Sequence, residues 1–201
     1  MHLRETARSG SERMKGRSAP AADDVRAALT AASPDMFRFN DDGSIPNNPR
    51  LPMLLYPRTL LLDGFADPAA AFEVLFEANG WSDCWRDGIY DYVHYHSRIH
   101  EVLGIARGRA RVRFGGDAGT AIDLAAGDVA VLPAGTGHQC LVASAGFLVV
   151  GAYPADGTYD ECRGTAAEHA RALRTIPKVA LPDRDPVFGR EGPLSRLWAR
   201  R

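Results

Sequence analysis

The chain has 201 residues, which suits one large core with small appendages better than two full domains. Hydrophobic residues make up 45%, charged residues 24% and aromatics 8%, a globular usage that excludes wholesale disorder, collagen and coiled coil. Twenty-four basic against twenty-five acidic residues leave a formal net charge of -1, so no global field draws the chain to nucleic acid or an anionic membrane. The longest apolar runs are too short or too broken by proline and arginine to span a bilayer.

Residues 1–20, rich in Arg, Ser and Gly, read as a disordered leader without a secretory apolar stretch, and Met14 offers a second start. Cys84, Cys140 and Cys162 are odd in number and carry no C-x-x-C spacing, which points to a reducing compartment and a cytoplasmic protein. Residues 21–80 read as N-terminal helices and an extended arm packed on the β-rich region after them. Val25, Ala28, Leu29 and Ala32 form one helical stripe after Asp23 and Asp24. Pro46, Pro49 and Pro52 then argue for an extended arm as far as Pro57. Asp67 caps a helix that starts at Pro68, buries Phe72, Leu75 and Phe76, and stops at Gly80.

Over 81–160 the pattern changes to short β-rich runs punctuated by glycine, such as Arg109 to Phe114, Ile122 to Leu124 and Val129 to Leu132. No long repeat recurs, so the expectation is one antiparallel barrel or sandwich. Residues 161–201 open with a capping box, Thr165-x-x-Glu168, ahead of Leu173 and Ile176, and end in a proline-rich tail that wraps the barrel or a partner subunit. The proline-rich arms at both ends point to a homodimer.

Four of the six histidines fall in or beside the β-rich part. In an extended segment His94 and His96 face the same way, with Tyr92 before them and Arg98 after. Glu101 joins that side only if the chain bends between Ser97 and His100. His138 follows the turn-rich Pro133-Ala-Gly-Thr-Gly137, with Cys140 on its face. The spacing G-x5-H-x-H-x4-E-x6-G covers Gly88, His94, His96, Glu101 and Gly108, and G-x5-P-x-G-x2-H covers Gly127, Pro133, Gly135 and His138. Together these resemble the two signature motifs of the cupin superfamily, except that Val142 stands where the second motif ends in asparagine. GAYPADGTYD and the DPVFG tail also resemble a group of uncharacterised bacterial single-domain cupins.

The resemblance implies an all-β core, a double-stranded β-helix or jelly-roll barrel with a few flanking α-helices, holding a metal at His94, His96, Glu101 and His138. The physical case agrees. A carboxylate turned into an apolar barrel loses several kcal/mol of solvation unless it is paired or coordinated, and imidazole with carboxylate suits one divalent ion of Fe, Mn, Ni, Co or Zn. Tyr92, Arg98, His100 and Cys140 are candidates to touch substrate or support the ligands; no residue declares itself as a catalytic base. Two functions are compatible with such a site: a metal-dependent oxygenase or isomerase acting on a small polar substrate, or a non-catalytic cupin that binds or senses a small molecule. Arg107, Arg109, Arg111 and Arg113 alternate with Gly108, Ala110, Val112 and Phe114, which reads as a solvated outer face rather than a nucleic-acid surface. Trp81 and Trp85 read as packing or interface residues, and His169 as solvent-facing.

Overall fold

A computed structural model describes residues 19–31 and 33–199. The expected leader, with His2 and Met14, falls outside the described residues except for its last two positions, and Ala32 falls outside them too. In chain order the elements are α1 (Ala22–Ala27), β1 (Asp35–Phe37), β2 (Met53–Tyr56), α2 (Pro68–Ala78), β3 (Trp81–Asp87), β4 (Glu101–Arg107) and β5 (Arg109–Phe114). They continue with β6 (Thr120–Ala125), β7 (Val129–Leu132), β8 (His138–Ala143), β9 (Leu148–Pro154), α3 (Ala166–Thr175), a 3-10 turn (Ile176–Lys178) and α4 (Pro193–Ala199).

The strands form a six-stranded sheet in the order β1-β2-β7-β4-β9-β3 and a three-stranded sheet in the order β6-β5-β8. Every pairing is antiparallel. From β4 onward the chain passes back and forth between the two sheets, which is the winding of a double-stranded β-helix. Strand parity sorts the side chains. Leu103 and Ile105 of β4, Ala130 and Leu132 of β7, Val149 of β9, and Ala110, Val112 and Phe114 of β5 meet inside the barrel. The alternate residues Val102, Ala106, Val129, Val131, Val150 and Ala152 face outward under the helices. Glu101 has the parity of Leu103 and Ile105, so the periodicity that buries leucine inside the barrel buries a carboxylate there as well.

On the outer face α2 lays Phe72, Leu75 and Phe76 against the six-stranded sheet. Phe72 sits on Gly104, where an added Cβ would come within 2.5 Å of its ring. Asp67 accepts from the Ala69 N–H at the start of α2 and Asn79 caps its end, as the sequence pattern requires. The capping box of α3 forms between Thr165 and Glu168.

Four details depart from the sequence reading. The arm before Pro57 is part of the barrel, because β2 pairs with β7 and β1 adds beside it. The first helix ends at Ala27, and Leu29 instead bridges to Leu60. In α3 the buried side is Ala172, with Ile176 just after it, while Leu173 lies 50% exposed. His169 is half-buried and pairs with Asp41 at 2.8 Å. The arginine stripe of β5 does lie outward, with Arg111 and Arg113 paired to Asp123 and Asp117. The tail wraps its own barrel: Trp198 Nε1 donates to the Pro52 carbonyl and the Tyr56 hydroxyl donates to Asp185. Among the described residues no helix is long and apolar enough to cross a membrane.

Candidate metal centre

His94 and His138 meet across the barrel wall. Each donates its backbone N–H to the other's carbonyl, at 3.2 and 2.9 Å, and their ring centroids stand 4.0 Å apart. His96 follows on the same side as His94 because Tyr95, turned the other way, bridges to Cys162. The chain then bends at Ser97 and Arg98, where the sequence reading requires it. The bend is held by Asp160, which accepts from the Ser97 N–H at 2.8 Å, the Ser97 hydroxyl at 2.6 Å and the Arg98 N–H at 3.1 Å. That turn delivers Glu101 to the same place: its Oε2 lies 3.4 Å from His96 Nε2 and 3.3 Å from His138 Nε2.

The donor set fits a cation. Nδ1 of His94, His96 and His138 faces the backbone carbonyls of Tyr92, Asp160 and Thr136 respectively. A carbonyl only accepts, so these contacts assign the ring proton to Nδ1 and leave the Nε2 lone pairs directed inward. One ligand atom from each of the three imidazoles lies within 4.8 Å of the others. Glu101 Oε2 is buried beside them without a hydrogen-bond donor. An orphaned carboxylate oxygen facing two imidazole lone pairs is repulsive unless a positive charge sits among them. Nitrogen with oxygen and no thiolate is the chemistry of a divalent transition metal rather than of a closed structural zinc site.

The electrostatics agree. Burial alone would raise the Glu101 carboxyl, yet His96, His138 and His94 together hold it at about 2. Burial, reinforced by His94, lowers His138 to about 3, and burial with His96 beside it lowers His94. His96 is the exception. Its burial is outweighed by Glu101, which raises it.

These groups form the floor of a cavity of about 460 Å³. Its walls include Trp85, Tyr90, Tyr153 and Tyr159, with Ile99 and Leu103. Trp85 Nε1 donates to the Tyr153 hydroxyl at 2.9 Å, and burial with the nearby Glu101 carboxylate pushes the phenol up. Tyr159 lies over His96 at 5.0 Å between centroids. Trp85 can lie flat on β9 only because position 151 is glycine, where a Cβ would meet the indole at 2.1 Å.

The other candidates from the sequence fall elsewhere. Tyr92 stacks on Tyr90 at 4.7 Å and sits 5.7 Å from His94, supporting the rim from outside the cavity. Arg98 is exposed and His100 is buried, and both line a second, larger cavity of about 660 Å³, on the far side of the bend that aims Glu101 inward. His100 accepts from the Ala134 N–H at 2.9 Å and packs against Trp198, ring centroids 4.7 Å apart and tilted by 51°, so its contacts run away from the ligands. Cys140 keeps the parity of His138 but packs into the barrel core away from the cavity. Trp85, read from sequence as a packing or interface residue, is a cavity wall. Val142 is 61% exposed, so the position where the motif departs from asparagine plays no part in the centre. Asp160, Tyr153 and Tyr159 escaped the sequence reading, although all three belong to the GAYPADGTYD run that carried a resemblance.

No family model matches the chain. The uncharacterized protein YjlB of Bacillus subtilis (strain 168) is 41% identical over 164 residues, covering 82% of this chain and 96% of that protein. Among solved structures, an uncharacterized conserved protein with a double-stranded β-helix domain from Klebsiella pneumoniae aligns with a TM-score of 0.33 at 13% identity, over 81% of this chain and 99% of its own. A variant of the oxalate decarboxylase OxdC of Bacillus subtilis aligns with a TM-score of 0.33 at 18% identity, over 56% of this chain. The chain spans only 27% of that decarboxylase and 21% of an 11S globulin from Wrightia tinctoria that also aligns. Sequence identity over nearly the whole of YjlB, together with the paired motifs and the double-stranded β-helix, places the chain in the family of YjlB, as a small single-domain cupin.

Proposed function

We propose that His94, His96, His138 and Glu101 hold one divalent transition metal ion, of Fe, Mn, Ni, Co or Zn, and that the chain is a metalloenzyme of oxygenase type acting on a small molecule in the cavity above it. The observation that carries this reading is the clustering of three imidazoles whose ligand atoms lie within 4.8 Å of one another, two of them with Nε2 at 3.4 and 3.3 Å from a buried Glu101 oxygen that has no donor. A bound ion of this kind supplies Lewis acidity or one-electron chemistry toward dioxygen.

The chain's own residues orient and exclude. Backbone carbonyls set the three imidazole tautomers, and Ile99 with Leu103 presents apolar surface beside the ligands. An isomerase needs a side chain that exchanges protons near neutrality. Beyond the metal ligands the buried part of the lining offers none: burial pushes the phenols of Tyr153 and Tyr159 up, Arg86 is engaged by Glu73 and Asp67, and the Asp83 and Asp87 carboxylates are exposed. Oxygen chemistry, which leans on the ion, is favoured over isomerisation for that reason. The same lack of a base supports a second reading, a cupin that binds or senses its ligand without turnover.

Elemental analysis of protein purified without a polyhistidine tag tests the centre. One metal per chain is expected in the wild type and almost none in His96→Ala or His138→Ala; equal content in all three overturns the assignment. Dioxygen uptake that disappears in His138→Ala separates the enzyme from the binder, which shows ligand-induced stabilisation alone. A cytoplasmic homodimer belongs to the same proposal. The proline-rich tail is already bonded to its own barrel through Trp198 and Asp185, so light scattering in solution decides the dimer.

A further inference from the structure

We infer that the ligand of the metal cavity joins a single oxygen-bearing head to an apolar, ring-sized body, and that the site turns away small diacids. This rests on the metal reading above and narrows the small polar substrate expected from sequence. The cavity, at about 460 Å³, has the volume of a small-molecule site. Above the ligands its surface is mostly carbon: the rings of Trp85, Tyr90, Tyr153 and Tyr159 and the aliphatic Ile89 and Ile99. Two of the three ring hydroxyls are engaged, Tyr153 by Trp85 at 2.9 Å and Tyr159 by Glu161 at 3.5 Å, and the third belongs to Tyr90, which is 46% exposed. Apart from the Tyr90 hydroxyl and the exposed Asp83 and Asp87 carboxylates, polar partners are confined to the floor, while the walls reward an apolar or aromatic body.

Charge decides the rest. A divalent ion with the Glu101 carboxylate leaves one positive charge, which one oxyanion head satisfies. A second carboxylate has nowhere to go. Arg86 is the one cation among the described lining residues, and each of its three nitrogens already donates to a carboxylate: Nε and Nη2 to Glu73, both at 2.6 Å, and Nη1 to Asp67 at 2.9 Å. Asp83 and Asp87 line the same cavity and repel a further anion. Arg98, which could have served, faces the larger cavity beyond the contact of Ile99 with Gly157, where a Cβ would meet Ile99 at 2.2 Å. A site built for a diacid would leave a guanidinium free to form a paired salt bridge.

Two matched probe pairs test this by calorimetry on the full chain loaded with Mn(II), with elemental analysis of the same sample. Benzohydroxamate and acetohydroxamate share a head and differ in the body; butyrate and succinate share a length and differ by one carboxylate. Benzohydroxamate is expected to bind about tenfold or more tighter than acetohydroxamate, and succinate more weakly than butyrate. Tyr159→Ala should narrow the first ratio severalfold while metal content and acetohydroxamate affinity hold. Equal hydroxamate affinities, or succinate tighter than butyrate, on a chain with one metal overturn this inference and leave the metal proposal standing. No metal and no binding of either hydroxamate overturn both.

Discussion

Glu101 on β4 and His138 on β8 belong to different sheets, yet their Oε2 and Nε2 atoms stand 3.3 Å apart. The barrel therefore carries its chemistry where its two sheets face one another, and the contact exists only when the winding is complete. Glu101→Gln keeps the volume and removes the charge. Its metal affinity should fall by more than the roughly 10–100-fold that the loss of an outer partner costs. Chelator should lower the wild-type melting temperature, by mass-action linkage, and leave that of Glu101→Gln nearly unmoved. A variant that keeps both full metal content and the chelator response would remove Glu101 from the centre.

Asp160 acts through the bend. Its side chain takes three donors from Ser97 and Arg98, and its carbonyl takes His96 Nδ1. Asp160→Ala leaves two backbone N–H groups without their acceptor, a cost of about 1–3 kcal/mol, and lets Glu101 and His96 drift apart. Metal affinity should fall about tenfold or more in protein that still shows wild-type secondary structure by circular dichroism. Unchanged metal affinity would confine Asp160 to stability.

His100 makes stability depend on pH. Burial lowers it from 6.5 to about 4, and its Nδ1 must stay unprotonated to accept the Ala134 N–H. Between those values the unfolded chain takes a proton that the folded chain refuses, so stability falls as pH falls from 6.5 toward 4. Urea unfolding at pH 7 and pH 5 should show the wild type losing about 2 kcal/mol more than His100→Gln. Parallel losses in the two proteins would rule His100 out as the source.

Gly151 is where Trp85 lies against β9. An alanine Cβ there would meet the indole at 2.1 Å, so Gly151→Ala should lift the ring into the cavity and destabilise by about 1–3 kcal/mol. A shift in tryptophan emission should accompany the change. Wild-type stability with an unaltered spectrum would mean the wall tolerates the methyl group.

Asp185 ties the tail to the barrel. Fully buried, it accepts from the Tyr56 hydroxyl at 2.6 Å and from the N–H groups of Val187, Phe188 and Leu194. This gives the DPVFG run a structural purpose. Asp185→Ala strands those donors and should cost about 3–5 kcal/mol, whereas Asp185→Asn should retain much of that. Limited proteolysis should cut the tail first in the alanine variant; equal resistance would show that Trp198 alone holds it.

Much of this protein is local and so was legible in its residues. Alternation along β4, β5 and β7 assigns inner and outer faces, caps at Asp67 and Thr165 start helices, and the spacing of His94, His96, Glu101 and His138 names the donors with the bend they need between them. Backbone geometry acts over a few residues, and a sequence records it directly. Other features required distant segments to meet. Nothing near Trp85 shows that Gly151 makes room for it, and nothing near Arg86 shows that Asp67 and Glu73 consume its charge. Parity placed Arg98 beside the histidines, but the bend that brings Glu101 inward turns Arg98 out toward another cavity. Side-chain direction beyond a bend, and the pairing state of a charge, depend on neighbours tens of residues away, and only the closed barrel decides them.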